Sequence, residues 1–147
     1  MPKDPEYNSF SNINHNQWLG SWIAGTEYQT HLYGIFPDNA HDQNVPCARC
    51  HTGNRSALMM LPGKRTCPNG WVREYEGYLM TGARLDHSHM ATYECVDKEP
   101  EFINGHGADT NGALLYFVKP FCSGMATTGH CPPYSEDREL TCVVCTK

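Results

Sequence analysis

Leu140-Thr141-Cys142-Val143-Val144-Cys145 reads as a short apolar strand carrying two cysteines three residues apart, and the same spacing stands in Val45-Pro46-Cys47-Ala48-Arg49-Cys50. Cys47 and Cys142 are 95 residues apart, as are Cys50 and Cys145. Carried along the chain without a gap, this shift lays Lys3-Asp4-Pro5-Glu6-Tyr7 on Lys98-Glu99-Pro100-Glu101-Phe102, Asn16 on Asn111, Gly34 on Gly129 and Asp42 on Asp137. A fixed shift of this kind marks one structural unit used twice. The second copy also holds Cys67 and Cys95, whose counterparts would fall before Met1. The second copy therefore reads as complete, and the first as lacking an opening stretch of about 28 residues with two cysteines. On this frame, residues 1–50 are an incomplete first half, 51–66 a linker with a strand of its own, and 67–147 a complete second half of one compact module.

The fold class is all-β: two pseudo-repeated halves of short strands, stapled by disulfides. Helical periodicity is hard to find. Apolar stretches run from Trp18 to Ile23, Ala57 to Leu61, Trp71 to Met80, Ala113 to Val118 and Leu140 to Val144. Their length and their aromatic and β-branched residues point to strands. Turn-rich segments such as Phe36-Pro37-Asp38-Asn39 and Asn104-Gly105-His106-Gly107-Ala108-Asp109 separate them. No Gly-X-Y period is present, so the chain forms no collagen triple helix.

With 147 residues the chain is long enough for one real core. Its formal charge of −5 disfavours nucleic acid and anionic membranes as partners. No apolar run approaches the 18 or so residues of a bilayer span. The opening MPKDPEYNSF lacks the apolar core of a signal peptide, so the chain reads as mature. Eight cysteines mean metal in a reducing compartment and disulfides in a secreted chain. The abundance of Trp, Tyr, Gly and Pro favours the second, an extracellular protein. Asn54-Arg55-Ser56 is a glycosylation sequon, which would mark an exposed loop.

Several motifs in order resemble the C-terminal non-collagenous domain of type IV collagen. They are Cys67-Pro68-Asn69-Gly70-Trp71, Tyr75-Glu76-Gly77-Tyr78, Cys95, Glu101-Phe102-Ile103, Leu114-Leu115-Tyr116-Phe117 and Glu139-Leu140-Thr141-Cys142-Val143-Val144-Cys145. Val45-Pro46-Cys47-Ala48-Arg49-Cys50 and Gly107-Ala108-Asp109-Thr110-Asn111-Gly112-Ala113-Leu114-Leu115-Tyr116 resemble more closely the single-module relatives in marine invertebrates, among them the short-chain, spongin-type collagens of sponges. The resemblance implies that a half's first cysteine pairs with its last and its second with its penultimate, hence Cys67–Cys145 and Cys95–Cys142. Cys122 and Cys131 share one loop and are expected to close it. The resemblance also implies a homo-oligomer built on trimers. Cys47 and Cys50 are left over. Either a separate N-terminal polypeptide supplies two cysteines to them, or they bond to each other, or the sequence is part of a longer one.

Cys47-Ala48-Arg49-Cys50-His51 also fits C-x-x-C-H, the pattern that attaches haem covalently. The lack of helices and the disulfide explanation weigh against it, so no cofactor is expected. His87 and His89 on Asp86-His87-Ser88-His89 could face one way on a strand and hold a metal. The remaining histidines are scattered, however, and no metal site is expected. No serine sits in a nucleophile-elbow context and every cysteine has a bridge available, which argues against a hydrolase. Glu99 and Glu101 flank Pro100 as Asp4 and Glu6 flank Pro5, which suggests a shared turn rather than a catalytic pair.

What remains is binding. Asn104, His106, Asp109 and Asn111, with the turn at His87 and His89, offer groups that bond hydroxyls. Trp18, Trp22, Tyr28, Trp71 and Tyr134 offer flat apolar faces, although such residues also build cores. Polar groups beside an aromatic face suit sugars. The expectation is a secreted, non-enzymatic, lectin-like module acting as an oligomer; the alternative is a module that assembles extracellular-matrix chains.

Overall fold

The computed structural model describes residues 6, 24–30, 34–82, 92–103, 111–122 and 131–147. Among these residues the protein is all-β, with six strands and a single 3-10 turn, η1, at Asp38–Ala40. The strands are β1 (Thr26–Tyr28), β2 (Leu58–Pro62), β3 (Val72–Thr81), β4 (Tyr93–Asp97), β5 (Ala113–Phe117) and β6 (Thr141–Thr146). They join one mixed sheet in the order β1-β5-β3-β6-β2, with β4 on the remaining flank of β3. Only β1 and β5 run parallel; every other pair is antiparallel.

β3 organises the sheet. Val72 to Tyr78 pair with Thr146 to Thr141 of β6, while Met80 and Thr81 pair with Phe117 and Tyr116 of β5. Tyr78, Met80 and Thr81 also pair with Val96, Glu94 and Tyr93 of β4. Thus β5 and β6 lie end to end along one flank of β3 and β4 covers the other, where Lys98 N donates to Glu76 O as the last contact. From Val72 to Tyr75, β3 has no strand on its β4 flank among the described residues. At Gly77 β4 comes close, for a Cβ there would lie 1.7 Å from the carbonyl oxygen of Val96.

Side chains at paired positions share a face of the sheet. One face carries Tyr28, Leu115, Phe117, Met80, Tyr78 and Val96. Ile35, Phe36, Ala40, Val45 and Phe102, from the irregular segments beside it, complete the core. Phe36 is its hub: its ring meets Tyr28, Tyr78 and Phe117 edge-on at centroid distances of 5.7, 5.7 and 5.0 Å. Edge-on contacts of this kind add to plain area burial.

Three disulfides staple the sheet: Cys67–Cys145, Cys95–Cys142 and Cys122–Cys131. These are the pairs that the family order and the shared loop imply. Cys142 and Cys145 are buried in β6 and take partners on opposite faces, as an extended strand requires of residues three apart. Three disulfides fit an oxidising environment. No helix among the described residues is long and apolar enough to cross a membrane.

One turn recurs at the 95-residue shift. Gln43 N donates to Ala40 O at 3.2 Å, and 95 residues on, Arg138 N donates to Ser135 O at 3.5 Å. Both turns put an aspartate in the left-handed region, Asp42 at φ 58° and Asp137 at φ 59°. Beyond the turn the two stretches differ. Residues 141–146 form β6, whereas 46–51 form no strand and are exposed. A strand needs neighbours: β6 lies between β2 and β3, and no described strand flanks 46–51. The strand within 51–66 is β2, which pairs with β6 over Leu58 to Pro62 and so belongs to the main sheet rather than to a free connector.

Candidate functional site

Of the residues named for ligand binding, His87, His89, Asn104, His106 and Asp109 lie outside the described residues, as do Trp18 and Trp22. Asn111 lies within them, and so do the residues that flank both segments. Those flanking residues lie toward one end of the sheet. Gly82 follows the last residue of β3 and Thr92 precedes the first of β4, so they delimit 83–91 at the end where Thr81 pairs with Tyr93. Thr81 Oγ1 donates to the carbonyl of Thr92 at 2.8 Å and closes this pair of stems.

Ile103 and Asn111 delimit 104–110. Ile103 bridges to Asn44, which bridges in turn to Glu27 of β1. Asn111 N donates to Glu27 Oε2 at 3.2 Å. Glu27 thus touches Asn111 directly and reaches Ile103 only through Asn44, and it is wholly buried. Burying a carboxylate is costly unless hydrogen bonds compensate, and the Asn111 amide supplies one. Asn111 takes a φ of 50°, a conformation that asparagine tolerates better than most residues.

Since β5 runs antiparallel to β3, its first residues lie at the same end as Gly82 and Thr92. Tyr116 and Tyr93 both pair with Thr81, which puts the two rings on one face, opposite the core. Tyr93 is 45 % exposed, and Ile103 and Asn111 beside the stems are exposed as well. Tyr93 and Glu27 escaped the sequence reading. The alternation Tyr93-Glu94-Cys95-Val96-Asp97 was the signal for β4; nothing local marks Glu27, whose role comes from residues far away in sequence.

Tyr28, offered as a flat binding face, is instead core, at 2 % exposure. Its hydroxyl donates to Glu101 O at 3.1 Å. Burial, with the charges of Asp97 and Glu101 behind it, pushes its pKa up to about 12. Tyr134 is exposed and Trp71 half-buried. Asn54 is exposed in a turn that Thr52 Oγ1 closes on Arg55 O at 2.6 Å, so its amide is open to glycosylation.

Cys47 and Cys50 are exposed and unbonded. In the C-x-x-C-H stretch, Gly53 N donates to His51 Nδ1 at 3.1 Å. Among the described residues no three His, Cys, Asp or Glu side chains group as metal ligands.

Charge collects away from this end. Arg65, Arg73 and Lys98 surround Glu76 at 3.3, 3.3 and 3.1 Å. Hydrogen bonds from Arg65 and Lys98 hold the Glu76 carboxyl below its usual range. Glu74 is held low by the Thr146 hydroxyl first and then by Arg55, whose guanidinium lies at 2.7 Å.

Comparison with family models, curated proteins and solved structures gives no match. The resemblance to the type IV collagen domain therefore rests on the residues quoted for it.

Proposed function

We propose that this chain is a secreted, non-enzymatic binding module that recognises carbohydrate at the end of the sheet bearing Tyr93 and Asn111. The observation that carries the reading is convergence. The stems of the segment with His87 and His89, and those of the segment with Asn104, His106 and Asp109, lie toward the same end of one sheet. Thr81 closes the first pair on Thr92, and Glu27 holds Asn111 of the second. Amide, imidazole and carboxylate groups bond sugar hydroxyls, and the exposed ring of Tyr93 gives the C–H face of a sugar a flat partner. Single sites of this kind are weak, and an oligomer multiplies them by avidity.

The test is a glycan array probed with an oligomer whose size light scattering has verified. Hits are expected, and Tyr93→Ala should weaken the best by about tenfold, the loss of one aromatic contact. An intact oligomer that retains no glycan refutes the proposal.

One observation favours a second reading, assembly of matrix chains. Leu58 and Val72 both pair with Thr146 and so stand in one row on one face, 67 % and 47 % exposed. If this row joins subunits, Leu58→Glu should return the protein to monomers.

A further inference from the structure

The eight cysteines divide into three bridges and one exposed, unbonded pair. β6 shows what this spacing does in an extended chain. Cys142 turns to one face and bonds Cys95; Cys145 turns to the other and bonds Cys67. Residues three apart in a strand are separated by about 10 Å, beyond the roughly 4.4–6.8 Å between Cα atoms that a disulfide spans. Two thiols so placed need two different partners.

Cys47 and Cys50 stand in the same frame. Cys47 follows Asp42 by five residues, as Cys142 follows Asp137, and the two turns share their hydrogen bond and their left-handed aspartate. Tyr75 belongs to the stretch of β3 that lacks a strand on its β4 flank among the described residues, and its hydroxyl donates to Cys95 O at 2.9 Å. The fold thus leaves an exposed segment with two thiols and, among the described residues, an open flank on β3, the kind of edge that folded proteins cover.

We propose that Cys47 and Cys50 are the covalent docking point for a polypeptide segment from outside these 147 residues. That segment carries two cysteines about 28 residues apart and closes over 46–51 as Cys67 and Cys95 close over β6. Each bridge joins one thiol of the pair to one thiol of the segment, with loss of two protons and two electrons. The electrons pass to the disulfide of a thiol–disulfide oxidoreductase, which leaves as its dithiol. Two bridges consume two such disulfides.

The experiment is peptide mapping without reduction on protein isolated from its natural source, with thiols blocked at lysis. Cys47 and Cys50 should each be linked to a cysteine in a peptide absent from the 147 residues, and reduction should release that peptide. The double variant Cys47→Ser, Cys50→Ser, expressed in the same source, should lose the peptide on a non-reducing gel yet keep Cys67–Cys145, Cys95–Cys142 and Cys122–Cys131. A Cys47–Cys50 bridge, a link from either residue to a second copy of this chain, or free thiols that alkylate without reduction would each overturn the proposal.

Discussion

Replacing Gly77 with alanine should strip β4 from the sheet. An added Cβ would sit 1.7 Å from the carbonyl oxygen of Val96, 2.6 Å from its carbonyl carbon and 3.0 Å from Cα of Asp97. All three are backbone atoms, so no side chain can rotate away. Reaching an ordinary contact requires the strands to part by roughly 1.5 Å, well beyond what ladder hydrogen bonds absorb. Overpacking alone costs about 1–3 kcal/mol, and each weakened ladder bond adds about 1 kcal/mol. A total of about 3 kcal/mol lowers the melting temperature by roughly 6–12 °C in a domain of this size. The Cys95–Cys142 bridge still tethers β4 to β6, so the damage should be local. Hydrogen exchange should show it as faster exchange over Tyr93–Asp97 than over β6. Gly70→Ala is the control: φ there is 80° but the space around a Cβ is open, so only the left-handed backbone, about 1–2 kcal/mol, is at stake. If Gly77→Ala stays within about 0.5 kcal/mol of the parent in a denaturant titration, the close approach of β3 and β4 is wrong.

The three bridges should rank by the loop they close. With separations of 78, 47 and 9 residues, loop-closure entropy gives about 4.5, 4 and 2.7 kcal/mol. Paired Cys→Ala variants should therefore lose most stability at Cys67–Cys145 and least at Cys122–Cys131; the reverse order in denaturant midpoints would contradict the entropic account. Acid should destabilise the fold through Glu74 and Glu76. Their folded pKa values lie below the unfolded value, so their contribution is present above about pH 4.5 and is lost as pH falls through the folded values. Glu76→Gln should flatten the fall of denaturant midpoint between about pH 5 and pH 3, and an unchanged slope would remove Glu76 from the account. Tyr28 works in the opposite sense. Its pKa is raised from 10.0 to about 12, so its contribution is complete below pH 10 and disappears as pH rises through about 12. Ultraviolet titration should show one phenol ionising last, together with unfolding, and Tyr28→Phe should remove that step.

The strands legible in the sequence were those whose own residues are apolar. Ala57 to Leu61, Trp71 to Met80, Ala113 to Val118 and Leu140 to Val144 became β2, β3, β5 and β6 with ends shifted by a residue or two. Trp18 to Ile23 lies outside the described residues. β1 and β4 escaped because Thr26-Glu27-Tyr28 and Tyr93-Glu94-Cys95-Val96-Asp97 put carboxylates into short strands. Such residues count against burial unless a distant partner is known, and the partner of Glu27 is the backbone of Asn111. Phe36 was hidden for a related reason. Phe36-Pro37-Asp38-Asn39 does turn, in η1, but turn chemistry describes the backbone and not where one large ring goes. The ring goes into the centre of the core, and Tyr28 goes with it instead of facing a ligand.

The same C-x-x-C spacing meets two fates in this chain, and the difference lies outside the motif. Asp42 and Asp137 adopt the same turn because an aspartate tolerates the left-handed region and the turn needs only its own four residues. The next few residues can form a strand only where other strands supply hydrogen bonds, since extended backbone has no partners within itself. β6 receives them from β2 and β3, so its two thiols are buried, face opposite ways and are bridged. Residues 46–51 receive none from the described strands, and their thiols stay exposed and unbonded. A local motif thus offers staple, haem anchor or redox pair with equal ease, and the flanking strands choose among them. On that reasoning Cys47 and Cys50 become a staple only when something brings a strand to them, which ties the chemistry of the pair to the arrival of its partner.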